Sequence, residues 1–534
     1  MAAYPIRSAP YIGIYPKPVY QKLGINFAMA QDPATNACLL RTDSGQNAGP
    51  GKGAVSCNGT NPINPAWRGN KFQPEHDYLS GGMETLGYTR YYNSRAARVA
   101  GLSPIAADSA VAGVWTHSYR RSVQLFVAPD TTGINTVQSA AVSRPDGSII
   151  VFRPSGANWV AAQSHTTEKL ARLATNGWLF VNNNDETETF DPAGKLVGIT
   201  RRDGLANTLS YDINGRLQQV ADPFGRTLAL TYDGSGRLAT LTGPDSALTQ
   251  YGYTGNNLTA VTYPGGLVKN YLYENASYPA ALTGIQDEET QRYATYTYDA
   301  QGRAYVSEHG STGSGIDRHT ITYNANGSAP ITDPPGSART YTYQAQFETA
   351  KLAGSTQPAG SGCAAAAQAI SYSSSGFVQT RTDFNGNQTQ YTHNARGLET
   401  QRIEASGTPL ARTISTNWHA YWRLPVKSAE PKKLTTYVYN GDTYNSSVVT
   451  CAPTTATVPT ATGTQPIGVL CQRIEQATTD ATGSQGFGAT PTGTARINTY
   501  TYNNLGQILT MDGPRTDLAD ITTTTYYPAT NPSL

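Results

Sequence analysis

Long apolar runs are missing from this chain. No window reaches the roughly 18 apolar residues of a membrane-spanning helix, and Pro16, Lys17 and Pro18 interrupt the best candidate for a secretory h-region. Charge is scarce: Asp, Glu, Lys and Arg make up 14 % of 534 residues, with 39 basic against 37 acidic side chains. That balance leaves no basic stripe for nucleic acid and no polybasic run for an anionic membrane surface. Methionine falls to 4 residues, and the Ala/Leu/Glu/Lys runs of a helical solenoid do not occur. Catalytic and metal signatures are also lacking. No C-x-x-C, H-E-x-x-H or H-x-x-x-H is present, and no acidic turn completes a calcium loop. "GPGKG" (49–53) fails as a phosphate loop, because Gln46 and Gly53 stand where Gly and Ser/Thr are required. The expectation is a chain without metal or other cofactor.

What is abundant points one way. The chain holds 52 Gly, 34 Tyr and 32 Pro; tyrosine and threonine favour strands while glycine and proline punctuate them. The aromatic of a recurring motif falls at Phe190, Tyr211, Tyr232, Tyr253 and Tyr273, in steps of 21, 21, 21 and 20 residues. Weaker copies follow at Tyr298, Tyr323, Tyr372, His393 and Tyr502. In "YDINGRL" (211–217) the acid and glycine fit a type I turn, Asp capping the backbone and Gly taking the positive φ of a bulged hairpin. The motif residues are Tyr211, Asp212, Gly215 and Arg216, then Tyr232, Asp233, Gly236 and Arg237, and again Tyr298, Asp299 and Gly302. A second turn sits at Asp222, Pro223, Phe224 and Gly225, so each unit is two strands and two turns. Strand 226–232 alternates cleanly, whereas Leu217/Val220, Leu238/Leu241 and Ile508/Met511 stand three apart, a spacing that implies a bulge or a change of face near the turn. One such unit cannot bury its apolar face alone, so neighbours must pair into a long sheet.

The Tyr-Asp…Gly-Arg-Leu…Asp-Pro-x-Gly-Arg pattern resembles the YD repeats of the rearrangement-hot-spot (Rhs) family. "NPINPAWRGNKFQPEHDY" (61–78), "LGYTRYYNS" (86–94) and "GVWTHSY" (113–119) are similar to the β domain that precedes those repeats. The resemblance covers about residues 61–527. It implies an all-β fold in which YD-repeat hairpins pair into a long, curved, spiralling sheet, a hollow shell that encloses a C-terminal toxin. The expected layout is an irregular segment 1–60, an N-terminal β domain 61–180 and a repeat region 181–534 with a Thr/Gly/Pro-rich insertion at 441–499. No Rhs core segment with paired aspartates and no distinct toxin domain is recognisable, and Asp222-Pro223-Phe224-Gly225 reads as an ordinary turn. The chain is therefore expected to be an incomplete shell, a fragment or a member without its cargo.

Five cysteines stand at 38, 57, 363, 451 and 471. Cys38 with Cys57, and Cys451 with Cys471, form two close pairs, each able to close a loop for about 3 kcal/mol. Pairing points to an oxidising compartment, secreted or at the cell surface; free thiols in a reducing cytoplasm are the alternative. His76 and His117 are read as packing or surface hydrogen-bonding residues, and Trp115 and Tyr119 as core rather than a sugar platform.

Three functions compete. The first is a non-enzymatic shell that encloses or presents a C-terminal effector in bacterial competition, its partner being that effector segment. The second is surface adhesion or carbohydrate binding, favoured if the repeat aromatics face solvent. The third is a polysaccharide-acting enzyme using two carboxylates about 5 to 9 Å apart; no pair stands out for it. No catalytic residue is assigned.

Overall fold

The structure, a computed structural model, describes residues 63–66, 69–81, 86–94, 115–129, 135–347, 349–360, 364–515 and 517–526. Segment 1–60 and Cys363 lie outside the described residues. So do Cys38 and Cys57, and the disulfide expected between Cys38 and Cys57 is therefore not among the structure's findings. Among the described residues strands dominate; the one helical element is a 3₁₀ turn at Gly486–Gly488. Among the described residues no helix is long and apolar enough to cross a membrane.

Two four-stranded antiparallel sheets come first. One joins Ile63–Asn64, Asn70–Leu79, Gly87–Asn93 and Trp115–His117; the other joins Ser122–Pro129, Asn135–Ser143, Ile149–Ser155 and Asn158–Ala161. From Lys169–Arg172 to Ile521–Thr523 a single antiparallel sheet of 29 strands follows, closed as a barrel. Nearly every strand pairs with its sequence neighbour, as Ala206–Tyr211 does with Leu217–Ala221 and that strand with Thr227–Tyr232. The exception is Lys433–Tyr439, which pairs with Leu470–Thr478 across the intervening residues.

The Thr/Gly/Pro-rich stretch 441–499 divides rather than standing apart as one insertion. Leu470–Thr478 and Pro491–Tyr502 are wall strands, paired at Gln472↔Thr499. Only 440–469 and the short 479–490 turn leave the sheet. Thr, Ala and Gly blur the repeat lettering in these strands, but extended backbone needs no particular letters while its ladder is satisfied.

The turn explains why the repeat keeps an acid and a glycine. In 212–216, Gly215 N–H bonds the Asp212 carbonyl at 2.9 Å and Asp212 N–H bonds the Arg216 carbonyl at 2.8 Å. Gly215, Gly225, Gly236 and Gly302 all have positive φ, from 68° to 80°. The Asp212 carboxylate accepts from the Asn214 and Arg216 amides at 2.9 and 2.8 Å. Asp222 repeats this in the second turn, on Phe224 and Arg226.

The register then slips at the repeat aromatic. Ser210 pairs with Gln219, yet Tyr211 pairs with Leu217, so Gln218 is the extra residue of a bulge. The same slip falls at Phe190, Tyr232, Tyr253, Tyr298, Tyr372 and Tyr502. Leu217 and Val220 thus share the buried face although they stand three apart, at 1 % and 0 % exposure. Tyr273 departs from the motif. The chain after it runs through a longer connection to Gly284–Gln286, and the Tyr273 hydroxyl accepts the Trp115 indole N–H at 2.8 Å.

One core runs through both N-terminal sheets and the early repeats, from Ile63, Tyr88, Tyr92 and Trp115 through Phe152 and Phe180 to Leu228, Val261 and Ile331.

A Cβ added to Gly225 would meet open space, so substitution there isolates backbone strain. Gly225→Val is expected to cost about 1–3 kcal/mol, read as a lower denaturant midpoint with an unchanged slope. No loss at this φ of 80° would remove the turn argument.

Candidate functional site: the repeat wall and its seam

Three turns send their arginine to the next repeat. Arg216 Nε donates to Asp212 at 2.7 Å, while the guanidinium lies 4.7 Å from the centre of the Tyr232 ring. The Tyr232 hydroxyl donates to the Leu217 carbonyl at 2.7 Å. That carbonyl lies past the last ladder pair on its side of the strand, Gln219↔Ala229, where the bulge has turned the strand. The unit recurs: Arg237 pairs with Asp233 and stacks on Tyr253, whose hydroxyl bonds Leu238 O. Arg303 pairs with Asp299 and stacks on Tyr323, whose hydroxyl bonds Ala304 O. Lys195 over Tyr211 and Lys351 over Tyr372 are lysine versions. The hydroxyls of Tyr298, Tyr439 and Tyr502 likewise bond strand carbonyls at Leu282, Pro425 and Leu470.

Burial opposes the charge on Asp212 and Asp233, but the amide and guanidinium of the following arginine hold both carboxyls below the usual range. These acids are turn locks.

The face beneath the repeats changes along the wall. The positions of Leu217 and Val220 are taken by Val378 and Arg381, by Glu399 and Arg402, and at the last repeat by Ile508 and Met511. Early pairs are buried by the N-terminal sheets, whereas Glu399 and Arg402 pair with each other at 3.2 Å on a partly exposed face. Ile508 and Met511 are 37 % and 42 % exposed.

Charged groups fix the N-terminal sheet to the wall. Arg90 and Asp77 form a fully buried pair at 2.5 Å. Tyr251 donates to Asp77 at 2.7 Å, Arg90 reaches the Tyr271 hydroxyl at 3.1 Å, and its guanidinium lies 4.9 Å from the Trp115 ring. Burial works against the Arg90 charge, yet Asp77 holds its pKa well above the ordinary value. Glu75 bonds Lys269 at 2.8 Å beside them.

His117 is buried and stacked on Tyr88, and burial pushes its pKa down to about 3. His76 Nδ1 lies 2.9 Å from the Thr89 hydroxyl. Trp115 and Tyr119 are 1 % and 4 % exposed, which leaves no face for a sugar. Of the two expected cysteine pairs, Cys451 and Cys471 form a disulfide; Cys38 and Cys57 fall outside the described residues. No group of three or more His, Cys, Asp or Glu is placed to hold a metal among the described residues.

The barrel has a seam where late repeats meet early ones through turn tips. Gln163 donates to Phe347 O, and His165 stacks on Phe347. Arg423 donates from its backbone to Asp185 and from its guanidinium to Thr167 O, both at 2.7 Å. Gly468 N–H bonds Arg202 O at 2.7 Å. A Cβ on Gly506 would collide with Asp203 O. At this seam Glu168 accepts from Asn183 and from the Thr167 amide, and burial raises its carboxyl to about 7.

Sequence reading found the turn residues but not these links. The arginine-to-tyrosine step does leave a signal, since Lys195, Arg216 and Arg237 each stand 16 residues before the tyrosine they cover. The seam leaves none in the repeat pattern.

Residues 190–227 and 232–268 match the RHS Repeat family model. Among curated proteins none matches the chain. Among solved structures, the chain is similar to TcdB2-TccC3 without its hypervariable C-terminal region, at 12 % identity and a TM-score of 0.42, over 85 % of this chain and 27 % of that one. It is also similar to the Photorhabdus luminescens Tc holotoxin pore carrying a TccC3 mutation, at 11 % identity and a TM-score of 0.42, over 85 % and 26 %. The chain thus spans about a quarter of the length of these relatives.

Two measurements probe this site. Tyr232→Phe should lose about 1 kcal/mol by stranding the Leu217 carbonyl. Combined with Arg216→Ala in a double-mutant cycle it should show a coupling of about 0.5–1 kcal/mol; additivity would disconnect the two residues. The second concerns Glu168. Its folded pKa, about 7, lies above that of the unfolded chain, so the native state keeps a proton the unfolded chain releases, and stability falls as pH rises from about 4.5 through 7. The full cost above pH 7 is about 3 kcal/mol. Glu168→Gln should flatten that fall in a series of thermal midpoints against pH, and an unchanged slope would clear Glu168 of it.

RHS repeats are matched over 190–227 and 232–268, and the same Tyr-Asp-Gly-Arg unit is built into hairpin after hairpin, so the chain is a protein built of Rhs/YD repeats.

Proposed function

We propose that this chain is a non-catalytic wall of an Rhs-type toxin system that encloses or presents a C-terminal effector segment in bacterial competition. The observation that carries the reading is how the turn residues are used. Asp212, Asp233 and Asp299 are each committed to the arginine of their own turn, and the repeat tyrosines to strand carbonyls. Such commitment serves a continuous barrier, which needs pairing and closure rather than a nucleophile or a poised acid. The late repeats support the same reading: Glu399 and Arg402 stand where early repeats bury leucine and valine, giving a polar face against which another chain can lie. A Cys451–Cys471 disulfide suits a protein that works outside the reducing cytoplasm, secreted or at the cell surface.

The adhesion reading asked for repeat aromatics turned to solvent. Tyr211, Tyr232 and Tyr253 instead pack against the core with their hydroxyls bonded, and no exposed aromatic platform among the described residues favours carbohydrate.

The purified chain is expected to show no turnover of polysaccharide, ester, peptide or nucleic-acid substrates. Turnover abolished by one point substitution, with the fold intact by circular dichroism, would replace the wall by an enzyme.

A further inference from the structure

Between Lys433–Tyr439 and Leu470–Thr478 the chain leaves the wall as an arm. The arm forms two short hairpins, Thr443–Tyr444 with Ser447–Val448 and Thr457–Thr460 with Gly463–Pro466. It has a small core separate from the main one, in which Ala452, Ala456, Val458, Ile467 and Val469 pack with Trp422 and Tyr502. The arm crosses the seam. Ile467, fully buried, sits so close to Gly204 that a Cβ there would meet it at 2.8 Å. The Gly468 amide holds Arg202 O.

Beneath the arm lies loop 419–423, drawn tight from both sides. Arg396 donates to the carbonyls of His419, Ala420, Tyr421 and Trp422 at 2.6–2.9 Å. His419 Nδ1 accepts from the Tyr421 and Trp422 amides, so its proton sits on Nε2, 3.0 Å from Asp442 in the arm. Arg423 then reaches Thr167 and Asp185 of the early wall. The arm is tied at its root by the Cys451–Cys471 disulfide, 20 residues apart, which encloses nearly all of the segment that touches Gly204 and Arg202.

We propose that the arm is a redox-released clasp: the Cys451–Cys471 disulfide keeps it across the seam, and reduction frees it and opens the wall between the early and late repeats. Cys471 is buried and Cys451 half-buried, so an external dithiol attacks Cys451 Sγ. The S–S bond breaks with its electron pair going to Cys471 Sγ, which takes a proton. The second thiol of the reductant then displaces Cys451 as a thiol and leaves the reductant as its own disulfide, two electrons having passed to the protein. Once the loop is open, the arm is still bonded to the late wall through Asp442 and Cys451 O. Only Ile467 and the Gly468 bond hold it to the early wall, against a chain that has gained conformational freedom. The clasp acts on the wall itself, whether or not the wall encloses an effector.

Hydrogen exchange of the full chain, with and without dithiothreitol at constant pH, tests this. Reduction should speed exchange about tenfold or more at the Gly468 and Arg423 amides, while the hairpins at 212–237 keep their rates. Reoxidation should restore protection. Unchanged exchange at Gly468, or equal acceleration in 212–237, overturns the clasp. Arg423→Ala, with the disulfide intact, removes the guanidinium bond to Thr167 O while keeping the backbone bond to Asp185; it should loosen the chain around Thr167 and leave Gly468 protected. Loss of protection at Gly468 in that variant would put the lock at Arg423 and overturn the role of the disulfide.

Discussion

At Arg216 and Arg237 one guanidinium links a repeat to the next: it is gripped by the aspartate four residues before it and stacked on the tyrosine 16 residues after it. The interaction is local on one side and crosses to the next hairpin on the other. It therefore converts a chain of hairpins into a wall whose units hold their neighbours in register. The tyrosine hydroxyl completes it by occupying the Leu217-type carbonyl that the bulge leaves outside the ladder. Aspartate, glycine, arginine and tyrosine thus recur together because each supplies one part of a joint: turn, positive φ, link and receiver. Repeat proteins held this way owe stability to nearest-neighbour terms, and a single joint is worth little while many in series are worth much.

The parts legible in the sequence are those whose physics is local. Asp212 and Gly215 announce a turn because a short carboxylate caps backbone amides and glycine tolerates positive φ. Leu217 and Val220, three apart, announce a bulge because strand periodicity is two and only an inserted residue reconciles them. Tyr273 shows the limit: its letters fit the interval, but its hydroxyl serves Trp115 instead of a strand carbonyl. Arg423, Asp185 and Glu168 were invisible because the contact joins residues more than 230 apart, and no periodic signal encodes which turn of a wound sheet meets which. The 441–499 stretch misled for a related reason. Low complexity marks a lack of side-chain constraint, and strands such as Pro491–Tyr502 are held by backbone pairing instead.

Along the wall the balance of forces shifts. The early repeats bury leucine and valine under two extra sheets, and the Asp77–Arg90 pair sits in that contact with no exposure. A buried ion pair adds little net stability over an apolar replacement but is costly to break, so its effect here is to fix how the N-terminal sheet sits on the wall. Beyond Ile331 the core thins, and Arg381, Glu399 and Arg402 occupy the same register positions. These strands can dispense with a core because their ladders, turns and tyrosine bonds remain. A wall of this kind keeps its geometry while the chemistry of one face changes from apolar to charged.

That division also decides where such a wall can part. Separating two neighbouring strands breaks a run of backbone bonds, as along the seven paired residues between Lys433–Tyr439 and Leu470–Thr478, and each unpaired group must find water. The seam is built differently. Its contacts are turn tips: an arginine on a carbonyl and a carboxylate, one glycine amide on a carbonyl, and a few apolar side chains of the arm. Fewer backbone bonds are lost there, although Asp185, Thr167 and Gly468 are buried by the contact. Covering this line are the arm and its disulfide, the one covalent link formed by side chains among the described residues. Ladder and joint make the wall; the arm determines whether its weakest line stays shut.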